Sequence, residues 1–220
     1  MGASSVSLKT LRRLPGYLGY LKTLPSLRVA HISATAVAEA LGLNDVQVRK
    51  DLAAVSRVGG KPKVGYAVDS LIADIEHFLG YDNTENAVIV GAGNLGRALL
   101  SYEGFSRYGM DIVAAFDKSP AAVGQSFGGK RVFPLEKLPD LCARLKIRIG
   151  ILTVPSGAAQ EAADLLVQSG VIAIWNFAPV RLSVPEGIHV QNENLVSSLS
   201  VLSKHLSEML LAEEEGAAAQ

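Results

Sequence analysis

Ala87-Val88-Ile89-Val90-Gly91-Ala92-Gly93-Asn94-Leu95-Gly96-Arg97-Ala98-Leu99-Leu100 decides the fold. A short apolar run enters a glycine-rich turn and leaves as a helix-forming segment, which reads as strand, turn, helix. In this spacing Gly91 makes the turn, Gly93 lets the backbone approach a pyrophosphate, and Gly96 lets the helix lie close to the strand. The helix start, with Asn94 and Leu95, then offers free N–H groups and a positive dipole end to phosphates. G-x-G-x-x-G alone is a weak signal, but here a second strand follows, Ile112-Val113-Ala114-Ala115-Phe116, ending in Asp117. A carboxylate there accepts both hydroxyls of an adenosine ribose and repels a 2′-phosphate. No arginine follows immediately, so NAD(H) is favoured over NADP(H). A nucleotide-free domain of the same fold is the competing reading.

Downstream the alternation continues. Ile149–Val154 reads as a strand ending at Pro155, Ala158–Ser169 as a helix, Val171–Trp175 as a strand, and His189-Val190 as another. This predicts an α/β domain, a doubly wound parallel Rossmann sheet, whose ligand crevice lies beyond the carboxyl ends of its strands. The expected cofactor contacts are Gly91, Gly93, Asn94, Leu95, Gly96, Asp117, Lys118, Thr153, Val154, Pro155, Asn176, Phe177 and Ala178. Pro155 reads equally as a strand breaker and Phe177 as a packed loop aromatic. A last helix, about Leu195–Leu211, carries Leu195, Leu199, Leu202, Leu206 and Leu210 in one stripe. It covers its own sheet or docks on a second subunit.

Upstream the charge changes. The chain holds 21 basic and 21 acidic residues. Residues 1–66 hold ten of the former (Lys9, Arg12, Arg13, Lys22, Arg28, Arg49, Lys50, Arg57, Lys61, Lys63) and three of the latter (Glu39, Asp45, Asp51), a net +7 against −7 for the remainder. Such a split suggests a nucleic-acid-binding end. The pattern there is helical: a first helix through Tyr17, Leu18, Leu21 and Leu24 led in by Pro15, then a second capped by Ser33. Gly42-Leu43-Asn44 breaks the second, and a third starts near Asp45. With Ala38 small, Gly42 in the turn, and Leu43 and Val48 packing beneath, this is a helix-turn-helix layout. Any antiparallel helix pair is the plainer reading. The third helix carries Gln47, suited to adenine, with Arg49, suited to guanine, and Lys50. Gly59-Gly60-Lys61-Pro62-Lys63-Val64-Gly65-Tyr66 follows and reads as a β-hairpin wing on phosphates, or else as solvated surface. Expected DNA contacts are Gln47, Arg49, Lys50, Arg57, Lys61, Lys63 and Tyr66.

The expected organisation is a winged helix-turn-helix domain with its connecting helix over 1–80, an NAD(H)-binding domain over 81–194, and a dimerisation helix with a tail over 195–220. Disorder is expected for residues 1–7 and from Glu213 onward. Cys142 is the single cysteine, so no intrachain disulfide forms. With no signal peptide and no membrane-length apolar run, the expected place is the cytoplasm. An NAD-dependent oxidoreductase with a basic appendage is the chief rival, but the four histidines, His31, His77, His189 and His205, fall outside the crevice loops. No metal site is expected.

From Arg13 to Leu206 the chain resembles the Rex family of redox-sensing transcriptional repressors. The resemblance rests on Val48-Arg49-Lys50-Asp51-Leu52, the Gly60–Tyr66 wing, Val90–Gly96, Ala115-Phe116-Asp117, Leu152-Thr153-Val154-Pro155 and Asn176-Phe177-Ala178-Pro179. It implies a homodimer whose C-terminal helix swaps between the partner's two domains. It also implies palindromic operator DNA near genes of NADH reoxidation, with NADH favouring a closed dimer that leaves DNA and NAD⁺ permitting the DNA-competent form. By the same resemblance Tyr102 takes part in redox discrimination, packing of the first Rossmann helix being its other reading. An arginine and an aspartate of the family correspond to Gly19 and Asn194 here. The resemblance then implies switching by cofactor-dependent closure, tuned differently. A regulator sensing coenzyme A through a similar turn is the second rival.

Overall fold

The computed structural model describes residues 6–25 and 29–218. Residues 1–5, with most of the expected N-terminal disorder, and Arg28 lie outside the described residues, as do 219–220. By its contacts the chain divides into two units, one up to Thr84 with Arg107–Gly109, the other Glu85–Ser106 with the chain from Met110.

The first unit contains α1 (Leu8–Thr23), β1 (His31–Ile32), α2 (Ala34–Leu41), α3 (Asp45–Val55), β2 (Tyr66–Ala67) and α4 (Val68–Leu79). Helix α1 begins before the expected Pro15. Ser7 caps it by accepting the Thr10 N–H at 3.2 Å, and Pro15 lies inside the helix. An interior proline costs about 3 kcal/mol, offset here by burial of Leu14, Tyr17, Leu18 and Leu21 and by the anchoring of Thr10, Arg13 and Tyr17 described below. Ser33 caps α2 as expected, Gly42 takes φ 63° in the turn, and Asn44 caps α3. Val48 is fully buried beneath the turn, but Leu43 is 39 % exposed. Its backbone N–H makes the turn's contact instead, donating to Ala38 O at 2.8 Å. The wing is minimal: Lys61 and Gly65 exchange two backbone hydrogen bonds of 2.9 Å around Pro62-Lys63-Val64. Gly65 passes so close to β1 that a Cβ there would lie 2.3 Å from Ile32 O.

The second unit contains β3 (Glu85–Val90), α5 (Asn94–Ser101), β4 (Met110–Asp117), β5 (Ser126–Phe127), β6 (Lys130–Pro134), α6 (Leu138–Leu145), β7 (Ile149–Leu152), α7 (Ser156–Gln168), β8 (Ala173–Asn176), β9 (His189–Asn192) and α8 (Leu195–Ala218). The strand order is β5-β6-β4-β3-β7-β8-β9, parallel except for the β5–β6 hairpin. Counting parallel strands along the chain gives 3-2-1-4-5-6, the doubly wound Rossmann order with its reversal between β3 and β7. Helices α6 and α7 bury Leu138, Cys142, Ala159, Ala163 and Leu166 against one face, and α5 buries Leu100 against the other. Helix α8 continues through the glutamate and alanine run expected to be disordered, as far as Ala218, since both residue types are strong helix formers. Val196, Leu199, Leu202, Leu206, Met209 and Leu210 on α8 are 50–66 % exposed, so the helix does not cover its own sheet. The side chain of Leu195 lies outside the described residues.

Candidate functional site

The reversal point of the sheet is built from three glycines and a threonine. Gly91 has φ 103°, and a Cβ on it would lie 2.8 Å from Thr153 O, so the loop after β3 rests directly on the loop after β7. Thr153 fastens the two: its N–H donates to Val90 O at 2.9 Å and its hydroxyl to Gly91 O at 2.7 Å. A Cβ on Gly96 would lie 1.9 Å from Gly91 O, which shows how closely α5 packs on the turn. Gly93 faces open space, with nothing within 4 Å of a built Cβ. Arg97 makes the first intrahelical bond, to Gly93 O at 2.9 Å. The N–H groups of Asn94, Leu95 and Gly96 precede it and are available to an anion.

Asp117 stands at the end of β4. One carboxylate oxygen accepts the Ala92 N–H at 2.6 Å and the other the Ser119 N–H at 2.7 Å, so the acid is oriented by the glycine loop itself. Between them runs a cleft of about 890 Å³, lined by Gly91, Gly93, Asp117, Lys118, Thr153, Val154 and Pro155, with Leu135, Glu136 and the α7 residues Ala158, Glu161, Asp164 and Leu165. That volume suits a dinucleotide-sized ligand. The residues fit the group: an open Gly93 cradle and a helix N-terminus for the pyrophosphate, an oriented carboxylate for the ribose, and apolar side chains for adenine. The three carboxylates Glu136, Glu161 and Asp164 escaped the sequence reading, because they sit on exposed faces without a motif.

Asn176, Phe177, Ala178 and Tyr102, also expected as contacts, are not among the residues that line the cleft. Asn176 is fully buried and its amide is spent, donating to Val180 O and Asn192 Oδ1, both at 2.9 Å, and accepting the Ala178 N–H at 3.0 Å. It shapes the loop that presents Phe177; Ala178 is buried with it. The Phe177 N–H donates to Leu152 O at 2.9 Å, which joins this loop to the end of β7. Tyr102 ends α5 and is 54 % exposed. It starts an aromatic series, with centroid separations of 4.9 Å to Phe105, 5.8 Å on to Trp175 and 4.8 Å on to Phe177. A Cβ at Gly104 would lie 2.3 Å from the Tyr102 ring, so only glycine permits this placement. Of the two departing positions, Gly19 lies on the exposed face of α1, and Asn194 caps α8 by accepting the Ser197 N–H at 3.0 Å.

In the first unit α3 exposes Gln47, Arg49 and Lys50. Its inner side is tied down by Asp51, 3 % exposed, which accepts hydrogen bonds from Thr10 Oγ1 (3.0 Å), Arg13 Nε (2.8 Å) and Nη2 (3.0 Å), Tyr17 OH (2.8 Å) and Gln47 Nε2 (3.2 Å). Burial pushes this carboxyl up, but the hydrogen bonds from Arg13, Tyr17 and Thr10 outweigh it and hold it below its ordinary value. Burial and the neighbouring carboxylate push the Tyr17 phenol up to about 12. The sequence names Asp51 as one of three acids in the basic end and as part of a motif, and neither reading reveals this role.

Arg57 spends part of its guanidinium on Asp74 at 3.1 Å, while 61 % of its side chain stays exposed. Tyr66 is 8 % exposed and packs under Gly60, which leaves it little surface for a phosphate. Lys61 and Lys63 are exposed on the wing. A groove of about 460 Å³ separates the wing from the start of α2 and is lined by Ser33, Ala34, Thr35, Arg49, Lys61 and Lys63. A helix N-terminus and the cations of the wing around a groove suit a nucleic-acid backbone, with Arg49 at its border. Among the described residues, no helix is long and apolar enough to cross a membrane and no group of side chains could hold a metal ion.

Known proteins match the chain over both units. The family described as "CoA binding domain" matches residues 82–180, and "Putative DNA-binding protein N-terminus" matches residues 5–53. The redox-sensing transcriptional repressor Rex of Treponema denticola is 44 % identical over 193 residues, covering 88 % of this chain and 91 % of its own. Among solved structures, RSP in complex with β-NAD⁺ and operator DNA is 38 % identical with a TM-score of 0.86, covering 96 % of this chain and 97 % of that one. RSP in complex with β-NADH is also 38 % identical, with a TM-score of 0.83 and coverage of 96 % and 99 %. RSP is described as a Rex-family repressor. With identity of this level across nearly the whole chain, the chain belongs to the Rex family of redox-sensing transcriptional repressors.

Proposed function

We propose that this chain is a cytoplasmic, homodimeric repressor that holds a palindromic operator through α3 and the wing and releases it when NADH binds the cleft of the second unit. The observation that carries this is the pairing, in one chain, of the Gly91–Gly96 turn and Asp117 with the cationic groove at α2, α3 and the wing. Gly93, the α5 N-terminus and Asp117 hold the pyrophosphate and ribose; Lys118, Val154, Ala158 and Leu165 frame the adenine end. The loops at Thr153–Pro155 and Asn176–Ala178, with Tyr102, face the nicotinamide half. The bound nucleotide supplies a ring that is cationic when oxidised and neutral when reduced, and the chain's residues at that end read the difference.

The coupling is thermodynamic. A ligand that prefers the DNA-incompetent form weakens DNA binding by the factor of its preference. The exposed apolar side of α8 is the surface for a second copy, and a dimer matches a two-fold operator. Gly19 and Asn194 leave the family's ion pair unformed, so closure around the cofactor carries the switch. The cleft serves as a sensor rather than a catalytic site, a reading supported by the relatives' naming as repressors.

Fluorescence anisotropy tests the reading with a labelled operator selected by the protein from a randomised duplex pool. NADH should release it and NAD⁺ should not; equal operator affinity in both would refute the proposal. The coenzyme A reading has one observation in its favour, the domain family matched over 82–180. Asp117, Glu136, Glu161 and Asp164 around the adenosine end oppose its 3′-phosphate, and coenzyme A should fail to displace NADH.

A further inference from the structure

Thr35, Asp45 and Arg49 form a chain of hydrogen bonds across the helix-turn-helix. Thr35 Oγ1 donates to Asp45 Oδ1 at 2.9 Å, and Arg49 Nη2 donates to Asp45 Oδ2 at 2.8 Å. Neither Thr35 nor Asp45 is occupied by ordinary capping. Ser33 caps α2, through the Ala36 N–H at 3.0 Å, and Asn44 caps α3, through the Gln47 N–H at 3.1 Å. The Thr35 hydroxyl is therefore free for Asp45, and the second oxygen of the Asp45 carboxylate for Arg49. Asp45 is 37 % and Arg49 63 % exposed, so as a surface ion pair the contact adds little to stability. Its effect lies in where it points the guanidinium.

Arg49 has two possible uses in a complex with DNA. It lines the groove with Lys61 and Lys63, where it would meet a phosphate, and it also stands on the exposed face of α3, where it would meet a base edge. Phosphate contacts position a protein without reading sequence, whereas a forked contact to guanine O6 and N7 discriminates. Arginine carries five N–H donors, so one bond to Asp45 leaves enough for both guanine acceptors. A carboxylate in contact with the guanidinium repels phosphate and removes part of the rotamer freedom that base contact would otherwise cost.

Resting on the operator-reading proposal above, we infer that Asp45 is a positioning residue for operator specificity: braced by Thr35, it aims Arg49 at a guanine and keeps it off the backbone. The test uses anisotropy with the selected operator, the same operator with each G·C pair replaced in turn, and a mixed-sequence duplex. Asp45→Ala should weaken operator binding about 5- to 10-fold, as expected for loss of much of one bidentate contact. Binding of the mixed-sequence duplex should hold or strengthen, and the penalty for replacing one particular G·C pair per half-site should collapse. Thr35→Val, which leaves the carboxylate in place, should act in the same direction with smaller effect. In an Arg49→Lys background Asp45→Ala should add nothing further. Equal weakening on operator and mixed-sequence DNA, or a full effect of Asp45→Ala without Arg49, overturns the inference while leaving the operator-reading proposal standing. A wild-type protein that fails to discriminate any duplex would instead remove the proposal beneath it.

Discussion

Asp51→Ala should detach the recognition helix from the rest of its unit. The carboxylate accepts five hydrogen bonds, from Thr10, Arg13 twice, Tyr17 and Gln47, and is almost fully buried. Its removal leaves the Tyr17 hydroxyl, on a side chain with no exposed surface, without its acceptor and Arg13 without its counter-charge. Breaking a buried ion pair from one side costs about 3–5 kcal/mol. Arg13 keeps 24 % of its side chain in solvent and recovers part of that, which favours the lower end. At about 3 kcal/mol, and about 4–8 °C per kcal/mol for a domain of this size, the melting point of the winged-helix unit should fall by about 12–24 °C. Asp51→Asn should be little better, because its amide N–H₂ would face the donors of Arg13 or Tyr17.

Circular dichroism and hydrogen exchange of the α1 and α3 amides would read the loss. Operator binding should fall with it while NADH binding persists. The network also has a pH signature. Asp51 is held below its ordinary pKa, so its contribution is complete above the unfolded carboxylate value of about 3.9 and is lost as pH falls through the lower folded value. Wild type should show an acid limb below about pH 4 that the alanine variant lacks. A variant that melts within about 1 kcal/mol of wild type, against the expected cost, would refute the anchoring role.

Gly96→Ala places a methyl 1.9 Å from Gly91 O and must open the turn, so calorimetry should find NADH affinity reduced at least about 10-fold, equivalent to 1.4 kcal/mol. Asp117→Asn keeps an acceptor for the Ala92 N–H but loses the charge; NADH should bind about 10-fold more weakly, and the preference against NADPH should shrink in parallel titrations. Lys61→Ala and Lys63→Ala should each lower the salt slope of operator binding by about one without changing base preference, measured by anisotropy across a salt series.

What could be read in advance was what the backbone demands locally. Gly91 and Gly96 announced the turn because a positive φ at the first and close backbone approaches at both admit no side chain, and Gly93 because it leaves an open cradle before α5; Ser33 and Gly42 marked the ends of α2 for similarly local reasons. The hairpin β5–β6 went unread because Lys130, Arg131 and Pro134 leave Val132 and Phe133 too short an apolar run. Helix α6 was likewise passed over, its eight residues showing barely two turns of Leu138, Leu141 and Cys142. Pro15 was misplaced as a helix start because what holds α1 in place, the bonds to Asp51, spans up to 41 residues of sequence. The structural part played by Asn176 was only half legible: Val180 lies four residues on, but its other amide partner, Asn192, comes from β9 and is brought beside it only when the strands pair.

The central claim is that the nucleotide and the operator compete through the protein's two forms, and reciprocity tests it most directly. Calorimetric titration of NADH into the protein alone and into the protein saturated with operator gives two dissociation constants. Their ratio should equal the factor by which NADH weakens operator binding, and the same pair of titrations with NAD⁺ should show little or no difference. An NADH affinity unchanged by operator would contradict the account: the cleft would bind its nucleotide without reporting it to the DNA-reading unit.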